Sequence, residues 1–110
     1  MTLAAWLDAR RPIPPEALRA RIDAALGAGL HAEITDAAET LLTAGETLVR
    51  SLLVEDATSR ESAIDLLAAD ALVTYAFEAA SEQPADLARR AATAMARIAA
   101  LADASAERRA

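Results

Sequence analysis

An aspartate stands in the middle of the most apolar stretch of this 110-residue chain. Asp70 lies between Ala69 and Ala71, in a run that also holds Ile64, Leu66, Leu67, Leu72, Val73, Tyr75, Ala76 and Phe77. Apolar residues fall on nearly every side of such a helix, and a helix of that kind is surrounded by neighbours. Asp70 is therefore expected to be buried, and a buried carboxylate is costly unless it is paired or hydrogen-bonded. Either an arginine from another helix (Arg50, Arg89, Arg90 or Arg97) neutralises it, or it lines a pocket or interface with Tyr75 and Phe77 beside it.

The other residues with chemical potential form no constellation. The lone histidine gives His31-Ala32-Glu33, half of a zinc-deaminase pattern whose other half needs two cysteines, and the chain has no cysteine. An exposed or capping His31 is expected. Five serines (51, 59, 62, 81 and 105) lie in no nucleophile elbow, and one histidine must serve any triad. The three glycines make no phosphate loop. Asp36, Glu39 and Glu46 share a helix face that suits either a hard cation or plain solvation. The expectation is no metal, no cofactor and no catalytic residue, hence no enzyme; for an enzyme, Asp70, Glu78 and Glu55 would be the acids to test.

Composition narrows the partners. Acidic residues outnumber basic ones 17 to 11, giving a net charge of -6, which speaks against a phosphate-backbone partner. The first eleven residues place their charges after a short apolar stretch, the reverse of a secretory signal. The apolar run carries Asp65, Asp70 and Glu78, so it reads as a buried helix and not a membrane span. A cytoplasmic protein is expected.

Proline and glycine divide the chain into segments of helical period. Thr2 starts a short helix over about 3–9, which Pro12-Ile13-Pro14-Pro15 stops. Helices are expected over about 15–26, closed by Gly27, over 33–54, over 59–81 and over 85–103. The third has a wet side of Asp36, Glu39, Thr43, Glu46 and Arg50, with Glu46 and Arg50 correctly ordered for an ion pair. Thr58-Ser59-Arg60-Glu61 matches a capping box. The last helix has a main stripe of Leu87, Ala91, Met95, Ile98 and Leu101 or Ala102, and an outward pair, Asp86 and Arg90. No period-two alternation is sustained. The expected fold is all-α: one domain over 1–110, a compact bundle of four main helices preceded by a short one, with the fourth (59–81) central.

One segment resembles a known family. Leu67-Ala68-Ala69-Asp70-Ala71-Leu72-Val73-Thr74-Tyr75-Ala76-Phe77-Glu78 is similar to the helix of trans-isoprenyl diphosphate synthases reading Leu-Ala-Gly-Asp-Ala-Leu-Leu-Thr-x-Ala-Phe-Glu. The resemblance implies an all-α fold holding an isoprenoid chain between helices. It covers a dozen residues and carries over no metal ligand. The family's aspartate-rich motifs have no counterpart here beyond Glu55-Asp56, which stand too close to Asp70.

Thirty-two residues are alanine. Ala88, Ala92, Ala96 and Ala100 recur every fourth residue on the last helix, a spacing that lets two helices approach closely. This stripe is expected to meet another helix of the fold or a second copy. Trp6, with Leu3 and Leu7, either docks on a partner or covers the protein's own core. The functional expectation is a small acidic helical module working through protein contacts or self-association, a homodimer being one form of the latter. The alternative is a binding protein for an apolar small molecule around Leu72, Tyr75 and Phe77, isoprenoid-like at best.

Overall fold

The computed structural model describes residues 1–55, 59–82 and 84–109. The protein is an all-α bundle. Five α-helices follow one another as α1 (Leu3–Asp8), α2 (Glu16–Leu26), α3 (Ala37–Glu55), α4 (Arg60–Ser81) and α5 (Pro84–Arg109), with a 3-10 turn over Gly27–His31 between α2 and α3. The described residues contain no strand, only an isolated bridge between Thr2 and Glu33. None of their helices is long and apolar enough to cross a membrane.

Local chemistry accounts for most boundaries. Thr2 caps α1 by accepting from the Ala5 N–H at 3.2 Å. Gly27 ends α2 with φ at +56°, a region that favours glycine. Ser59 Oγ accepts from the Ser62 N–H and caps α4, one residue later than a box starting at Thr58, which lies outside the described residues. Two boundaries depart from expectation. Helix α3 starts at Ala37 instead of 33, because Asp36 supplies the cap through its side chain to the Glu39 N–H. The preceding backbone is used elsewhere: Ala32 accepts from the Leu3 N–H, and Ile34 donates to the Met1 carbonyl. Helix α5 runs to Arg109 instead of 103, since alanine continues a helix at no entropic cost and Arg108 and Arg109 face the negative end of its dipole. Its 26 residues rise about 39 Å.

The core is a hairpin of α3 and α4. Leu41, Leu42 and Leu48 from α3 pack on Ala68, Ala69, Leu72 and Ala76 from α4, with Ile22 and Leu26 of α2 and Leu3, Trp6 and Leu7 of α1 closing one side. The two long helices cross tightly at Gly45. A methyl there would stand 3.1 Å from Val73 Cγ2 and 3.3 Å from Leu72 Cβ. Glycine thus removes the side chain that would hold the helices apart, offsetting its poor helix propensity of roughly 1 kcal/mol.

Helix α4 touches α2, α3 and α5, yet it is not covered all round. Leu66 and Leu67 are 61% and 57% exposed, and Asp70 is exposed with them. The helices around α4 leave the side that carries these residues open. Among the described side chains of α5, Ala94 joins the apolar core cluster, while Ile98 and Leu101 are half-buried and Ser105 is buried. Met95, expected in its main stripe, is 61% exposed. Leu87, Ala85, Asp86 and Arg90 have side chains outside the described residues.

Candidate functional site

The three residues expected to share a pocket do not share one. Tyr75 and Phe77 are two positions apart, about 200° around a helix, and Asp70, two turns before Phe77, is exposed to solvent. The carboxylate therefore escapes the desolvation that would have demanded an arginine. Two of the arginines considered for it serve other acids: Arg50 pairs with Glu46 at 3.3 Å, and Arg97 is described below.

Tyr75 turns toward α1. Its ring meets Trp6 edge-on, with centroids 6.3 Å apart and planes at 89°, the arrangement that aromatic quadrupoles prefer. The Arg10 guanidinium lies 4.1 Å from the Trp6 ring centroid, a cation–π contact. Trp6 Nε1 donates to Glu82 Oε1 at 3.0 Å, and Arg10 stands 3.7 Å from the same oxygen. Arg19 joins Asp8 of α1 at 2.9 Å and Asp23 of its own helix at 2.7 Å. Trp6 is thus 5% exposed: it covers the core of its own chain and is not a free docking residue.

Burial raises the Tyr75 hydroxyl above its ordinary pKa, and the negative charge of Glu78 adds to the effect against Arg19 and Arg10. A phenol held neutral in the folded state stabilises fully below the unfolded pKa of about 10 and ceases to do so as pH rises through the folded value. Tyr75 is the only tyrosine, so ultraviolet titration reads it alone. Its phenolate should appear at higher pH in the folded protein than in urea. Stability should fall above about pH 10, and less steeply in Tyr75→Phe.

Phe77 turns the other way, into a cleft of about 240 Å³ between α3, α4 and α5, where Leu42, Ala76 and Ala94 join it and Thr93 and Arg89 stand on the α5 side. Leu72 is fully buried and lines neither this cleft nor its neighbour. That neighbour, of about 410 Å³, lies between α1, the segment 34–38 and the end of α4, with Trp6, Arg10, Thr35, Asp36 and Glu82 among its lining residues.

The expected wet side of α3 carries the α5 contact instead. Arg97 donates to Glu39 at 2.7 Å and through Nε to Glu46 at 3.0 Å, and a further short contact joins its terminal nitrogen to Glu46. These carboxylates, Glu46 foremost, hold the Arg97 guanidinium still more firmly protonated. The acids considered for a cation thus receive a guanidinium, while Asp36 caps its helix. Arg97→Ala should lower stability by about 1–2 kcal/mol, measurable by urea unfolding, because Glu46 is left half-buried.

Among the described residues, no three of His, Asp and Glu come together as a metal site. His31 is exposed on the 3-10 turn. The alanines at 88, 92, 96 and 100 are also exposed, so no described helix buries the stripe. Sequence reasoning passed over Arg10 and Glu82, and offered Arg97 to Asp70 where the structure gives it to Glu39 and Glu46. It also passed over Gly45, although an isolated glycine inside a helical pattern does signal close packing. Comparison with protein families, with curated proteins and with solved structures finds no match to this chain.

Proposed function

We propose that the protein is a cytoplasmic, non-catalytic helical module that associates with a second copy of itself through the outer faces of α4 and α5. The observation that supports this reading is where large apolar side chains remain exposed. Leu66, Leu67 and Met95 are each more than half exposed, all on regular helices and not on loops. The bare alanine row of α5 offers a second chain close backbone approach. A core so rich in alanine buries little hydrocarbon per residue, and for small domains association is a common remedy. The same face on two copies gives a closed two-fold dimer.

Sedimentation at micromolar concentration tests the reading. The 11.5 kDa chain should sediment as a dimer, and Leu67→Glu combined with Ala96→Glu should return it to a folded monomer. A wild-type monomer across that range rejects the proposal.

A further inference from the structure

The cleft between α3, α4 and α5 joins a hydrocarbon floor to a rim whose polar groups are already taken. Leu42, Ala76, Ala80 and Ala94 line it and are buried, and the ring of Phe77 lines it half-buried. Glu39, Arg89 and Thr93 line it at exposed positions. Glu39 accepts from Arg97 at 2.7 Å and from the Thr43 hydroxyl at 3.4 Å. Thr93 donates its hydroxyl to the Arg89 carbonyl at 3.0 Å, and Arg89 has a further partner of its own. The described lining thus carries one carboxylate and one guanidinium, opposite in sign and each engaged within the protein.

We propose that this cleft binds a compact, uncharged, apolar small molecule of the size of one substituted aromatic ring. Size follows from the space. Its volume of about 240 Å³ exceeds the roughly 150 Å³ that admits benzene to an apolar cavity and lies below the roughly 300–1,000 Å³ of sites for larger ligands. Absence of charge follows from the lining. A charged group would give up its water against a floor of methyl and isobutyl groups, with nothing there to pair it. Phe77 adds a ring against which a second ring can sit edge-on or offset. The site is distinct from the face assigned to self-association, since Leu66, Leu67, Met95 and Ala96 do not line it. Either reading can therefore fail without the other.

Phe77 is the only phenylalanine, so carbon-13-labelled phenylalanine places a magnetic resonance reporter in the cleft and nowhere else. Titration with toluene, benzoate and benzylammonium should give saturable ring shifts with toluene, matched by the labelled methyls of Ala76, Ala80 and Ala94. Both charged probes should bind about tenfold more weakly. Thr93→Phe at the exposed rim and Ala38→Leu at the half-buried wall each add bulk to the cleft. Each should weaken toluene by about tenfold while leaving the helical circular dichroism unchanged. No saturable shift at Phe77 up to the solubility of toluene overturns the proposal. Benzoate or benzylammonium binding as tightly as toluene overturns the assignment of an uncharged ligand, and undiminished toluene binding to either folded variant overturns the placement.

Discussion

Leu72→Ala should cost this protein roughly 2–5 kcal/mol, a large part of the roughly 5–15 kcal/mol that holds a domain of this size together. Leu72 is fully buried where α3 and α4 cross, and its Cβ is one of the atoms nearest Gly45. The close backbone approach that glycine permits also limits relaxation, since the helices are already near contact and cannot move in to fill the space. The loss should therefore fall toward the upper part of the range. Urea unfolding followed by circular dichroism would measure it. A loss below about 1 kcal/mol would mean that the crossing is looser than described.

Trp6→Ala should be comparably damaging, at about 3–5 kcal/mol, but for a different reason. The indole buries its body against the bundle, meets Tyr75 at its edge, carries Arg10 on its face and donates to Glu82. Truncation removes all four interactions and frees α1, whose other apolar anchors are Leu3 and Leu7. Trp6→Phe separates the contributions: it retains a ring but not the donor, and should cost about 1 kcal/mol through the lost hydrogen bond. Hydrogen exchange of the α1 amides should rise sharply in the alanine variant and modestly in the phenylalanine one.

The helices of this fold could be read in advance because their boundaries are written locally. Proline at 12–15, glycine at 27 and a hydroxyl at the head of α4 each act within a turn of their own position. What could not be read was rotation. On α5 the hydrophobic line through Met95 and the line through Ala94 are nearly equivalent, because alanine is at ease on either side of a helix surface. The choice between them is made by Arg97, whose partners Glu39 and Glu46 lie 58 and 51 residues away. Asp70 shows the same ambiguity: flanked by alanines, it had no neighbour to tell a wet face from a dry one. The divergence of Tyr75 and Phe77, by contrast, was legible from their spacing alone. The Trp6–Arg10–Glu82 cluster joins α1 to the end of α4, and no local pattern announces a contact across 76 residues.

Helix α5 is fastened differently from the rest of the molecule. The hairpin is joined by hydrocarbon, whereas among the described residues α5 adds Ala94 to the buried core and is tied to α3 by a guanidinium shared between two acids. Added electrolyte pulls these two kinds of fastening apart. Simple salt screens the guanidinium and its acids, while strongly excluded anions such as sulfate tighten apolar contact. Ionic composition thus becomes a dial on the last helix and on the ion-paired first one, able to loosen both while the α3–α4 hairpin holds firm.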